Sequence, residues 1–149
     1  MKTKKAGVVL LLLCLVLITS TASGAVQSRK LAEVKLYDYG WQADIGVLDR
    51  LANEMKTETD SAGYVILYGG RRSVRGEIQK RLVCMRMYML DRRGLSADRI
   101  VMINGGYRTK ATMEIWVVPS GARRPVPTPT VATKHVRIRK GKIRYGCDV

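Results

Sequence analysis

The sequence predicts an α+β fold, a βαβαββ two-layer sandwich in which a mixed sheet carries two helices on one face. Two stretches repeat apolar residues at spacings of three and four, as amphipathic helices do. Four shorter stretches are apolar or alternate between apolar and polar residues, as strands do. Because crossovers between parallel strands are right-handed, this order of elements places both helices on the same face of the sheet.

The first half of the domain supplies a strand, a helix and a second strand. Residues 33–39 alternate between apolar and polar side chains and predict the first strand. A helix with one apolar and one charged face follows. A turn at residues 60–63 leads to an apolar run at residues 64–68, which ends at Gly69 and Gly70 and predicts a buried strand. The apolar stripe of the helix consists of Ile45, Leu48, Leu51, Ala52 and Met55.

The second half of the domain supplies a helix and two more strands. Residues 74–92 predict a helix that ends near Gly94, since glycine commonly terminates helices. Residues 100–103 form an apolar run, residues 104–106 predict a turn, and residues 112–118 alternate again. The apolar stripe of this helix consists of Ile78, Leu82, Met85 and Met89.

Residues 1–24 have the three parts of a secretory signal peptide. Lysines lie at the start, an uncharged apolar run covers residues 6–18, and small residues such as Ala22 and Gly24 follow. The apolar run has 13 residues, fewer than the roughly 20 that a membrane-spanning helix needs. We therefore expect cleavage after Gly24 and export of the chain, with a retained N-terminal anchor as the alternative.

The remainder divides into a domain at residues 25–119 and a proline-containing basic tail at residues 120–149. Four prolines between residues 119 and 129 oppose regular structure, and residues 134–144 are dense in cations. This composition favours a flexible arm. The alternation of residues 135–139 leaves a short strand as the alternative.

The chain is strongly basic, with 27 lysines and arginines against 12 acidic residues. Loss of Lys2, Lys4 and Lys5 with the signal peptide leaves 24 basic residues against the same 12, a net charge of +12. Such a surface attracts polyanions, and salt weakens the attraction. Since an exported protein rarely meets nucleic acid, we expect acidic envelope polymers as partners and no nucleic acid.

Catalytic and metal chemistry have little support in the sequence. Cys84 and Cys147 remain after export, and they either form a disulfide or stay as a buried residue and a tail thiol. With these two cysteines and one histidine, His135, the chain has no C-x-x-C or H-x-x-x-H spacing typical of metal ligands. No nucleophile is placed beside a base. We therefore predict no catalytic residue, no metal site, no cofactor and no enzymatic activity.

Three motifs occur in the order found in a known family. VILYGG at residues 65–70 resembles a family strand that ends in G-H-T-D, and residues 79–90 resemble the helix that follows it. GLSADRI at residues 94–100 is the most specific piece. Over roughly residues 33–118 the chain thus resembles the peptidoglycan-binding C-terminal domain of OmpA-like envelope proteins. This resemblance implies the same βαβαββ fold and a location in the periplasm or at the outer membrane.

The resemblance also implies a ligand site made by Gly70, Arg71, Arg72 and Arg81. In the family, an aspartate after the strand and an arginine on the next helix hold the diaminopimelate of peptidoglycan through opposite charges. Here an arginine stands where the aspartate belongs, and the position of the helix arginine falls on Leu82. A guanidinium repels the ammonium group of that ligand, so we expect the family's ligand mode to be lost. An altered pocket with these arginines could still hold a carboxylate or phosphate. The alternative is that these arginines form a solvated helix end.

The expected function is that of an exported, non-enzymatic cell-envelope protein that binds cell-wall polymer. Two alternatives remain open. The domain could have kept its fold, lost peptidoglycan binding and become a module that binds an acidic protein partner. The basic residues 134–144 could instead contact an anionic membrane surface, where each cation contributes about 1 kcal/mol.

Overall fold

The computed structural model of the chain describes residues 26–36, 40–143 and 147. The predicted signal peptide, and residues 37–39 of the predicted first strand, lie outside the described residues. In chain order the helices and strands are β1 (Arg29–Lys35), α1 (Gly40–Thr57), β2 (Ser61–Gly69), β3 (Arg72–Val74), α2 (Glu77–Met87), β4 (Ile100–Tyr107), β5 (Thr112–Pro119) and β6 (Arg137–Arg139).

The described residues build a mixed four-stranded sheet with the order β1-β5-β2-β4. β1 and β2 both pair with β5 in antiparallel fashion, whereas β2 and β4 are parallel. A parallel pair needs a crossover connection, and α2 lies within it. β2 is buried along almost its whole length because it has a neighbouring strand on each side. The predicted α+β fold with a mixed sheet is confirmed.

Both helices pack on the face of the sheet that carries Val65 and Leu67, as the sequence predicts. The apolar stripes of the two helices form the core there, together with alternate residues of β2 and β5. Burial of such apolar surface stabilises the fold by roughly 25 cal/mol per Å². Within the described part of the chain, no helix is both long and apolar enough to cross a bilayer. The buried residues of the two predicted apolar stripes include Leu48, Leu51, Ala52 and Met55 of α1 and Ile78, Leu82 and Met85 of α2.

Two turns predicted from glycine-containing segments belong to strands in the structure. Residues 61–63 open β2, and residues 104–106 lie within β4. Gly105 permits close packing rather than a turn, because a Cβ atom there would lie 2.5 Å from Cε1 of Tyr68. A glycine that permits close packing cannot be told from a turn glycine in the sequence, and this explains why the sequence predicts a turn at residues 104–106.

The helix predicted over residues 74–92 is shorter and divided. Its first residue belongs to β3, a three-residue strand that the sequence pattern does not predict. Gly76 then precedes α2 with a φ of 78°, a left-handed conformation that favours glycine and separates the strand from the helix. After α2, a π-helical turn at Tyr88–Arg92 completes the segment.

The prediction of a flexible arm is wrong for residues 120–143. The backbone N–H of Thr128 donates a hydrogen bond of 3.0 Å to the Tyr68 hydroxyl, and Val131 forms an antiparallel bridge with Tyr107. Farther along, β6 pairs in parallel with β3, which confirms the alternative of a short strand. Composition alone misses this outcome, because the polar groups that hold the tail lie on distant strands.

A disulfide bond joins Cys84 on α2 to Cys147 in the tail. The two Cα atoms are 5.1 Å apart, and the cysteines are separated by 63 residues in sequence. Of the two states that the sequence leaves open for these cysteines, the structure has the paired one. The bond holds the tail against the helix on which Cys84 is fully buried.

Candidate functional site

A cavity of about 580 Å³ lies between the end of β2, the start of α2 and the tail. Its lining includes the apolar residues Leu67, Ile78 and Ile143. We name it the cationic cavity because most of its charged lining residues are basic. These charged residues are Arg72, Glu77, Arg81, Arg139, Lys140 and Lys142.

Three of the four predicted site residues meet at this cavity. Gly70, Arg72 and Arg81 line it, although Arg81 follows Arg72 by nine positions in the sequence. Arg71 is exposed and does not belong to the lining. Its backbone carbonyl accepts a hydrogen bond of 2.8 Å from the N–H of Arg137, so Arg71 supports the tail through its backbone.

Of the neighbouring residues Arg81 and Leu82 on α2, Arg81 lines the cavity and Leu82 does not. Leu82 is 5% exposed and belongs to the apolar core, whereas Arg81 is 8% exposed and lines the cavity wall. Arg81 Nε lies 3.9 Å from Oε1 of Glu77, one helical turn earlier. The other carboxylate oxygen of Glu77 accepts a hydrogen bond of 3.1 Å from the N–H of Val74. Glu77 therefore connects the start of α2 to β3 and borders Arg81.

The glycine pair at the end of β2 allows the chain to bend tightly into β3. A Cβ atom on Gly69 would lie 2.7 Å from Cδ1 of Ile78, and one on Gly70 would lie 3.1 Å from the backbone N of Ala111. The hydroxyl of Ser73 donates a hydrogen bond of 3.0 Å to the carbonyl of Gly70 and fixes this bend. Side chains larger than hydrogen would thus displace the cavity wall.

Three lining cations come from the tail and were not among the predicted site residues: Arg139, Lys140 and Lys142. The β3–β6 pairing places Arg139 opposite Val74, and the carbonyl of Arg139 accepts a hydrogen bond of 3.1 Å from the N–H of Arg75. Because the sequence predicts the tail as an arm apart from the domain, these cations were not assigned to the site. The alternation of residues 135–139, together with a cysteine farther on, is the sequence signal that could have revealed them.

The described lining of the cavity combines five cations with one carboxylate. Guanidinium and ammonium groups bind carboxylates and phosphates through charge-assisted hydrogen bonds, and the excess of positive charge attracts anions. Among the described residues, no group of three or more histidine, cysteine, aspartate or glutamate side chains could hold a metal ion. The arrangement suits anion binding.

A second charged cluster lies on the opposite face of the sheet, under the tail. Glu114 is 3% exposed, and its Oε1 accepts hydrogen bonds from Arg108 at 2.8 Å and Lys30 at 3.0 Å. Burial opposes ionisation of Glu114, but the hydrogen bonds and the positive charges of Arg108 and Lys30 together outweigh burial and hold its pKa below the ordinary value. Arg108 also covers the ring of Tyr68 at 3.7 Å and donates to Thr128. This cluster fastens the tail to the sheet.

No family model matches the chain, and no curated protein matches it. The OmpA-like resemblance therefore rests on the three motifs and stays a prediction.

Proposed function

We propose that the protein is an exported, non-enzymatic cell-envelope protein with a divergent OmpA-like domain that binds cell-wall polymer through the cationic cavity. The observation that supports this proposal is the convergence of Arg72 and Arg81 of the domain with tail cations on one cavity. An isolated solvated helix end would not need to share a concave surface with another part of the chain.

The lining favours an acidic group of the polymer over the zwitterionic end of a stem peptide. Arg72 occupies the motif position of the family's aspartate, so an ammonium group would meet a guanidinium there. Glu77 could accept an ammonium group, but it already accepts the N–H of Val74 and borders Arg81. Apolar residues in the lining of the cavity can contact the aliphatic parts of a polymer.

Co-sedimentation with purified peptidoglycan, at low salt and at about 0.5 M salt, tests the proposal because salt screens exposed charges. The protein is expected to sediment at both salt concentrations. The Arg72→Asp variant, which restores the family's acid, is expected to sediment less. Lys134→Asp makes the same charge change on an exposed tail residue outside the cavity lining, and it should sediment as the unmodified protein does.

Two results would contradict the proposal. If the protein leaves the pellet at high salt, its attachment is diffuse and not site-specific. If Arg72→Asp sediments and the unmodified protein does not, the cavity has lost wall binding, and the search for ligands should turn to acidic protein partners.

A further inference from the structure

The cationic cavity draws its charges from two parts of the chain that are distant in sequence. Arg72 and Arg81 come from the domain, whereas Arg139, Lys140 and Lys142 come from the tail. Arg81 is buried in the wall, and the three tail cations are exposed to solvent. The tail is thus one side of the site.

The tail is held in this position by contacts at several points. The N–H of Arg137 donates a hydrogen bond to the carbonyl of Arg71, and β6 pairs in parallel with β3. Ile143 packs against the apolar core, with its Cδ1 near Gly76 at the start of α2. Cys147 is bonded to Cys84 on the same helix. Side chains whose backbone is already fixed lose less entropy when they bind a ligand.

The excess of positive charge in the cationic cavity favours ligands that carry more negative charge. A zwitterion has no net charge and gains nothing from an excess of cations, and a carboxylate carries one negative charge. A phosphate monoester carries about −1.5 to −2 at neutral pH and offers three strong acceptor oxygens. Guanidinium forks bind two phosphate oxygens at once, and lysines bind phosphate as point charges.

We infer that the cationic cavity is a binding site for phosphate monoester groups and that the disulfide-anchored tail supplies one half of it. This inference rests on the proposed function, since it names the ligand class of the same cavity. The two halves act together because a phosphate can accept hydrogen bonds from the domain and from the tail at once.

Titration of the full chain, as recovered oxidised from the cell, with glycerol 3-phosphate, lactate and glycine at constant ionic strength tests the inference. Glycerol 3-phosphate is expected to bind about tenfold more tightly than lactate, because a phosphate group carries more negative charge and more acceptor oxygens than a carboxylate. Glycine is expected not to bind. Equal affinity for phosphate and lactate would overturn the inference.

Two charge-matched variants locate the site. The triple variant Arg139→Gln, Lys140→Gln, Lys142→Gln removes the tail half of the cavity, and phosphate affinity is expected to fall by about tenfold or more. The control Arg123→Gln, Arg124→Gln, Lys134→Gln removes three exposed tail cations outside the lining, and affinity should change by less than about twofold. An equal loss in both variants would show diffuse attraction and overturn the inference.

Phosphate monoesters occur both on soluble or polymer-borne sugars and on lipid headgroups, and vesicles containing phosphatidic acid separate these sources. Equal affinity per phosphate for vesicles and glycerol 3-phosphate supports a soluble or polymer-borne group, and much tighter vesicle binding supports a lipid. Sedimentation with peptidoglycan without a preference for phosphate would overturn this inference and leave the proposed function standing. If the protein binds phosphate but does not sediment with peptidoglycan, the proposed function is overturned and this inference stands.

Discussion

Cys147 is bonded to Cys84 of α2, and this bond fixes the tail that forms one side of the cationic cavity. Cross-linking residues so far apart in sequence restricts the unfolded chain more than it restricts the folded one. The chain-entropy relation gives about 4 kcal/mol of stabilisation for a loop of this length.

The Cys147→Ser variant is expected to lose up to about 4 kcal/mol of unfolding free energy, measured by urea denaturation. Cys147 is the better residue to change, because Cys84 is fully buried in the core. A reductant should lower the stability of the unmodified protein by a similar amount and leave the variant unchanged. A urea midpoint that is the same with and without reductant would show that the bond contributes nothing.

The Arg81→Gln variant is expected to weaken binding to peptidoglycan by about tenfold, because it removes a charge-assisted donor from the cavity wall. Lys80→Gln is the matched control, since Lys80 is the preceding residue of α2 and is exposed outside the lining. Circular dichroism checks that both variants fold. Equal binding by the two variants would place the polymer elsewhere on the molecule.

The Gly105→Ala variant is expected to destabilise the protein by about 1–3 kcal/mol, because the added methyl group would overlap the ring of Tyr68. Gly46→Ala is a useful comparison. Gly46 lies within α1 with nothing within 4 Å of an added Cβ, so alanine there should stabilise by about 0.5–1 kcal/mol. Thermal melts of both variants measure the difference, and an unchanged melting temperature for Gly105→Ala would show that β4 can shift.

Local sequence periodicity is sufficient for the parts of the fold that bury a regular face. The stripe from Leu48 to Met55 predicts the buried side of α1, and the apolar run before Gly69 predicts the central strand. Local patterns fail where a residue serves a distant contact. Gly105 resembles a turn glycine, and its role becomes visible only when Tyr68 is placed against it.

One part of the candidate site can be predicted from local sequence motifs, and the other part depends on contacts between distant residues. The motifs in the sequence predict a site made by Gly70, Arg71, Arg72 and Arg81, and all of these except Arg71 line one cavity. The tail half depends on the pairing of β6 with β3 and on the bond at Cys147. Both contacts join residues more than 60 positions apart, a separation that periodicity cannot report.

The Glu114→Gln variant is expected to lose about 2–3 kcal/mol of stability, because Arg108 and Lys30 would keep their charges without the carboxylate that neutralises them. Glu33→Gln is the control. Glu33 pairs with the same two cations but its side chain is 47% exposed, so its loss should cost less than about 1 kcal/mol. Urea denaturation at neutral pH compares the two, and equal losses would mean that burial does not strengthen the Glu114 contacts.

Stability is expected to fall as the pH drops below about 5, because carboxylates such as Asp49 and Glu114 have lowered pKa values in the folded protein. The hydrogen bond from Arg93 lowers the pKa of Asp49 against the effect of burial. At Glu114 burial also opposes ionisation, but the hydrogen bonds and charges of Arg108 and Lys30 lower the pKa. A lowered folded-state pKa means that the unfolded chain takes up protons first. The contribution of each group is therefore complete above its unfolded-state pKa, ordinarily 3.8 for Asp and 4.5 for Glu, and it is lost as the pH falls through the folded-state value.

Urea denaturation at several pH values between about 7 and 3 measures this loss. The decline should be shallower in Glu114→Gln, which has one carboxylate fewer to protonate, than in the unmodified protein. Identical slopes for the two proteins would show that Glu114 has the same pKa folded and unfolded. In that case the hydrogen bonds from Arg108 and Lys30 would do no more than offset the cost of burying the carboxylate.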